Sequence, residues 1–281
     1  MRRLLTLVAM CSLASGCVAR AMFTDGTSVS LGRPNRGVLR GGHALPTSGA
    51  GYVVPGLWVA RGAIYGTDEL LGAIQSAARK VSDKMPGGVL GVGDLSRRGG
   101  GDMGFHRSHE SGRDADLIFY AVDDDGQPVE PPQGMPRYRG GRHLRAREPY
   151  ETPPTPISRR YFDMPRNWLL VRSLVEDPTI DVEYLFISER LREKMIDYAR
   201  TIGEPPEVVH RAAVALRQPV GALPHDDHLH LRIRCTPTDA ALGCVEEGAV
   251  RLRSEIYRGE SPPRPRPRMT KLHDARAPRP A

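Results

Sequence analysis

The six residues His228-Leu-His-Leu-Arg-Ile233 constrain this chain more than any other stretch. Polar and apolar side chains alternate with a period of two, the pattern of a strand with one face in a core. Leu229, Leu231 and Ile233 then point inward, and His228, His230 and Arg232 share the opposite face. Two imidazoles projected side by side from a rigid strand are what a metal site needs.

A second cluster, His106-Arg-Ser-His109-Glu-Ser-Gly-Arg-Asp-Ala-Asp116, runs into the apolar stretch Leu117-Ile-Phe119. Asp116 is read as opening a strand there, and the Gly112 loop folds His109 back beside it. One His, the Asp and a second His make a three-ligand site that suits zinc and leaves a fourth position for water. Water in such a site has its pKa lowered to about 7 and becomes a nucleophile. His228 then takes a proton from the water or stabilises the oxyanion, and His225 donates to the leaving amine. Asp226 and Asp227 are placed to orient these rings. A single buried histidine is ordinarily a hydrogen-bonded core residue; two clusters and an aspartate heading an apolar strand are harder to obtain that way.

The surrounding pattern predicts an α+β domain, a small antiparallel sheet flanked by helices and joined by long loops. Gly and Pro together number 55 of 281 residues, which favours loops over long regular elements. Leu70, Leu71, Ile74, Ala77, Ala78 and Val81 recur at helical spacing, with Thr67 as N-cap and Pro86-Gly87-Gly88 as the stop. Strands are expected at 89–94, 115–122 and 182–187, with a turn at Asp123-Asp-Asp-Gly126. Helices are expected at 167–176, at 188–202 with Ser188 as cap, and at 207–216. Residues 127–160, rich in Pro and Arg, read as a surface-loop insertion, a lid over a site. Gly99-Gly-Gly101 reads as a flexible rim of the cleft, and Trp168 as helix packing. Arg97, Arg98, Arg113 and Arg232 are candidates to hold peptide carboxylates.

The ends read differently. Arg2-Arg3, the apolar run Leu4–Ala14 and small residues before Cys17 form an export signal over 1–16, too short to span a bilayer. Leu13-Ala-Ser-Gly-Cys17 is similar to a bacterial lipobox, which makes Cys17 a lipidated first residue and ties the chain to a membrane surface. The alternative is a soluble signal cleaved near Ala19 or Ala21. Residues 17–57 read as a tether followed by irregular structure or short strands, 58–258 as the catalytic domain, and 259–281 as a basic Pro/Arg tail with nothing to bury. The tail carries net +4 of the chain's +7, so the body is nearly neutral and does not argue for a nucleic-acid partner. Cys235 and Cys244, exported to an oxidising compartment, are read as a disulfide. Nothing in the sequence bears on oligomeric state.

Three blocks carry a resemblance to a known family: Gly93 through Asp116, Phe162-Asp163-x-x-Arg166-Asn167-Trp168, and His225-Asp-Asp-His228-Leu-His230-Leu-Arg232. Together they resemble the penicillin-insensitive murein endopeptidases, which belong with the lysostaphin-type and D-Ala-D-Ala carboxypeptidase metallopeptidases. The resemblance covers about Trp58 to Cys244, and Cys235 and Cys244 resemble a pair that follows the family's last motif. It implies Zn2+ ligated by His109, Asp116 and His230, His228 as catalytic histidine, and His225 as an additional active-site histidine. His106 and Asp163 match positions near the metal, with Asp227 beside them; Arg113 and Arg232 are candidate substrate contacts. The implied activity is periplasmic hydrolysis of D-alanyl-meso-diaminopimelyl cross-links in peptidoglycan. The alternatives are a zinc carboxypeptidase trimming a terminal D-alanine and a non-catalytic murein-binding lipoprotein.

Overall fold

The computed structural model describes residues 27–246, apart from 105, 140–141, 145–159 and 221. The expected leader, the lipidation site Cys17, the middle of the insertion and the tail from 259 lie outside the described residues. Among the described residues no helix is long and apolar enough to cross a membrane.

A seven-stranded sheet runs in the order Leu216–Arg217, Val182–Phe186, His228–Ile233, Asp114–Ile118, Leu90–Val92, Tyr52–Val53, Ser48–Gly49. Its middle is antiparallel, and two parallel pairs, Val182–Phe186 with Leu216–Arg217 and Tyr52–Val53 with Leu90–Val92, extend it. In the centre His230 lies opposite Asp116, Arg232 opposite Asp114, and His228 opposite Ile118. On its other edge the same strand sets Phe186 beside His230 and Tyr184 beside Arg232. The period of two does the rest. Ala115, Leu117, Leu229, Leu231 and Ile233 join the hydrophobic core, and the residues between them carry the polar face.

Helices supply the other half of that core. Asp68–Lys84 is capped by Thr67, whose hydroxyl accepts from Leu70 N–H, and Asp68 and Glu69 sit favourably in its first turn. Its apolar stripe from Leu70 to Val81 is wholly buried, with each Leu or Ile contributing roughly 1.5–3 kcal/mol. It packs on Met164–Val175, which in turn meets Pro206–Ala215. Glu189–Thr201 follows Ser188 as expected, but the Ser188 side chain makes no cap hydrogen bond. Its backbone N–H instead donates to His225 O at 2.7 Å.

Two stretches take a definite form. The one expected as a tether followed by irregular structure or short strands up to residue 57 holds short strands from Val29 on, and its apolar residues join the core. Val29–Arg33 pairs with Arg36–Arg40, and Leu45, Tyr52 and Val54 are core residues. Each strand of this pair is rich in Gly and Arg and has too few apolar positions to show a period, so only their pairing and not their presence needed the fold. The insertion is not simply a loop either. Arg137–Arg139 and Arg142–Leu144 form a hairpin in a four-stranded sheet with Tyr161–Phe162 and Ala121–Val122. Tyr138 is buried against Phe119 and Phe162 in edge-to-face contacts.

Candidate metal centre

Asp116 is the focus of the polar face. It stands in mid-strand, two residues after the strand begins, because Asp114 starts the pairing. Around its Oδ1 lie His230 Nδ1 at 3.0 Å, His109 Nε2 at 3.3 Å and His228 Nε2 at 3.3 Å. Each ring is turned by an acceptor behind it. His109 Nδ1 meets Leu95 O at 3.0 Å, His230 Nε2 meets Asp114 Oδ1 at 2.8 Å, and His228 Nδ1 meets Asp227 Oδ1 at 2.7 Å. With the outward nitrogens engaged in this way, the three inward nitrogens converge on one carboxylate. That is how metal-ligating histidines are ordinarily backed.

The donor set fits a cation. His109 Nε2 and Asp116 Oδ2 are buried with no hydrogen-bond partner, a costly condition unless something else occupies them. Two triplets offer ligand atoms within 4.8 Å of one another: His106, His109 and Asp116, and His225, His228 and His230. The expected trio of His109, Asp116 and His230 draws from both and meets at Asp116. His106 Nε2 lies 3.9 Å from Asp116 Oδ2 and 3.1 Å from Asp94 Oδ2.

Backbone geometry explains how His109 reaches the strand. It is the one non-glycine residue at positive φ (70°) among the described residues. Such strain persists where the surroundings over-determine it, commonly at functional sites. Here Ser96 Oγ donates to His109 O, and Asp114 Oδ2 accepts from His109 N–H at 3.3 Å.

Without a metal the charges organise themselves around the carboxylates. Burial works to raise Asp116, but His228 and His109 outweigh it and hold the carboxyl well below its usual range. Burial of Asp114 is overridden in the same direction by Arg232 and then His230. Burial would lower His228, yet Asp116 and Asp227 push it up to about 10. His230 rises too, Asp114 and Asp116 overcoming its burial. His225 goes the other way: burial, helped by the charges of His228 and His230, brings it down to about 4. Its Nδ1 is buried without a partner.

Other expected site residues are placed elsewhere. Asp163 caps Met164–Val175, accepting from Arg166 N–H at 3.2 Å and pairing with the Arg166 guanidinium at 2.6 Å. Its carboxylate is committed there. Arg113 and Arg232 are almost fully buried. Arg113 donates to Ser30 Oγ and Ile233 O, and Arg232 to Asp114 Oδ1 at 2.6 Å. Arg232 thereby anchors the carboxylate that backs His230, whereas the bonds of Arg113 run to the first hairpin and the end of the His228 strand. Trp168 is buried and donates to Glu204 Oε1 at 2.8 Å, as helix packing requires. Asp226, expected to orient a histidine, turns to Arg137. Cys235 and Cys244 form a disulfide with Cα atoms 6.0 Å apart.

Three supporting residues escaped the sequence reading. Asp114 backs His230 and anchors Arg232, and its position two residues before Asp116 on a strand was the available signal. Asp94, buried, receives Arg61 at 2.7 Å and faces His106. Gln218 accepts from His225 N–H at 3.1 Å. Only the folded chain brings Asp94 and Gln218 to these partners.

A family profile described as penicillin-insensitive murein endopeptidase matches residues 30–252. Two proteins named penicillin-insensitive murein endopeptidase, from Klebsiella pneumoniae strain 342 and from Klebsiella pneumoniae subsp. pneumoniae strain ATCC 700721 / MGH 78578, are each 34% identical over 95 residues. The aligned stretch spans 34% of this chain and 34% of the length of each relative. The profile runs from the first hairpin past the disulfide and takes in every residue of the Asp116 cluster; by that match the chain belongs to the penicillin-insensitive murein endopeptidase family.

Proposed function

We propose that this chain is a zinc-dependent peptidase that hydrolyses the D-alanyl-meso-diaminopimelyl cross-links of peptidoglycan. The observation that carries the proposal is the convergence of three back-supported imidazoles on Asp116, with His109 Nε2 and Asp116 Oδ2 buried and without hydrogen-bond partners. His109, Asp116 and His230 would hold the ion, which when bound supplies a Lewis acid for the scissile carbonyl and makes water nucleophilic near neutral pH.

The chain's own residues divide the proton work. His228, held by Asp227 at Nδ1, presents Nε2 towards the site, where a donor stabilises the developing oxyanion. His225 stays uncharged at neutral pH, so it takes up the proton that water loses before giving it to the leaving amine. Asp227 keeps the His228 ring in one tautomer, and Asp114 does the same for His230. No serine acyl intermediate is required, so a β-lactam has nothing to trap. The leader and the disulfide support a periplasmic location, with Cys17 as the lipid-bearing residue on a membrane surface.

The test is digestion of purified cross-linked muropeptide dimers, with and without chelator and with His109→Ala. Chelator-sensitive conversion of dimers to monomers, about one zinc per chain and neither in the variant, is the expected result. Release of terminal D-alanine alone would replace this reading with a carboxypeptidase. A zinc-free, inert protein that still binds murein would leave a wall-binding lipoprotein.

A further inference from the structure

Beside the disulfide segment, to which Gly32 is bridged through Gly243 O and Val245 N–H, lies a basic surface that the catalytic reading does not use. The hairpin Val29–Arg33/Arg36–Arg40 sets Arg33 directly across from Arg36. Arg36, Val38 and Arg40 alternate with buried Leu39 and are exposed, so three arginines share the solvent face of this ribbon. The glycine-rich loop joins its edge. Leu39 N–H donates to Gly99 O at 3.1 Å, and Val38 bridges Gly100. A Cβ on Gly100, at φ +73°, would fall 2.1 Å from Glu110 O and 2.6 Å from Leu39 N, so only glycine lets these strands approach. The loop thereby lays exposed Arg97 and Arg98 beside the hairpin.

None of these five arginines has a side-chain ion pair among the described residues. The nearby acids are occupied otherwise: Glu110 accepts from Gly37 N–H at 3.4 Å, and Asp102 from Gly104 N–H at 2.7 Å. Three guanidinium groups on the ribbon and two on the adjoining loop, none in an ion pair among the described residues, are a site for a polyanion, and their planar forks match carboxylates. The ribbon is also continuous with the metal-binding loop, since Glu110 N–H donates to Pro34 O at 2.9 Å, one residue beyond His109. Val38 is its one large exposed hydrophobic side chain, too little apolar area to enter a bilayer.

We infer that the Arg33–Arg36–Arg40 ribbon with Arg97 and Arg98 binds the free carboxylates of the peptide strand whose cross-link the Asp116 site receives. This rests on the proposed function and names what holds the substrate outside the chemistry. The surface acts on binding and leaves the chemical step alone, so it should appear in KM and not in kcat.

The experiment uses the full chain, with its basic tail constant. One variant replaces all five arginines by glutamine; a second replaces them by lysine. For soluble cross-linked muropeptides the glutamine variant is expected to raise KM about tenfold with kcat unchanged within about twofold, and to lose the wild type's rise of KM with salt. The lysine variant keeps most of the affinity, and thermal unfolding shows that both fold. Unchanged KM and salt dependence in the glutamine variant would overturn the inference. So would a loss confined to phosphatidylglycerol vesicles with sacculus binding intact, which would make this a membrane surface. Should the wild type cleave nothing, the proposed function fails by itself, and co-sedimentation with sacculi still decides the ribbon.

Discussion

The guanidinium of Arg137 grips both carboxylate oxygens of Asp226, at 2.7 and 3.1 Å. Tyr138 N–H donates to Asp226 O at 2.6 Å, so the hairpin of the insertion is strapped to the residue that follows His225. The insertion is therefore a support for the loop that carries His225. Arg137→Asp or Asp226→Arg alone should lower kcat/KM by about tenfold or more, while the double charge swap recovers part of the loss, since groups in direct contact couple by about 0.5–3 kcal/mol. Additive losses would show that the strap does not position the loop. Kinetics on muropeptides for the four proteins of the cycle provide the check.

Gln218 holds the other side of the same loop. Its Oε1 accepts from His225 N–H, and its Nε2 donates to Leu223 O at 3.0 Å. Gln218→Glu keeps the acceptor and loses the donor; Gln218→Ala loses both. The alanine variant should reduce kcat by roughly 10- to 100-fold, within the share a displaced proton-transfer group controls, and the glutamate variant by less. Equal losses in the two variants would argue that the loop staple matters and the His225 bond does not.

Metal removal should change stability as well as activity. An ion bound to the folded chain alone stabilises it by mass action, about 2.7 kcal/mol at a hundredfold excess over Kd. Thermal unfolding of the chelated protein should therefore shift upward on adding zinc, and Asp116→Asn should abolish the shift. An unchanged midpoint in the native protein would remove the metal reading.

Glu183 sets a pH dependence away from the metal. Burial, with the nearby Glu246 carboxylate, raises it from 4.5 to about 7, against the pull of Arg232. Between these values the folded state holds a proton that the unfolded state has released, so the contribution of this group to stability is full below about pH 4.5 and is lost as pH rises through about 7. Urea unfolding of Glu183→Gln should show a flatter decline over that window than the native chain. Parallel curves would contradict the assignment.

The strand carrying His228 and His230 was legible because a period of two survives in six residues, and the Asp68–Lys84 helix because eighteen residues repeat its cap and stripe. The histidines and Asp116 were legible because they are rare chemistries at short spacing. What stayed hidden depends on long-range placement. Asp94, Gln218 and Arg137 are ordinary polar residues whose partners are fixed by chain crossings, and no local pattern marks them. The positive φ of His109 belongs to this class too, since a histidine looks alike in sequence whether strained or relaxed. Asp163 was read from motif position, and its cap role shows that a motif residue can serve the scaffold next to the chemistry.

The pairing of His230 with Asp116 has one more implication, for biogenesis. A slip of one residue between those two strands would swap faces, sending the imidazoles into the hydrocarbon interior and the leucines into the cleft. A misaligned copy would lack the convergence of His109, His228 and His230 on Asp116. Assembly of the candidate site is on that account itself a readout of the native strand alignment.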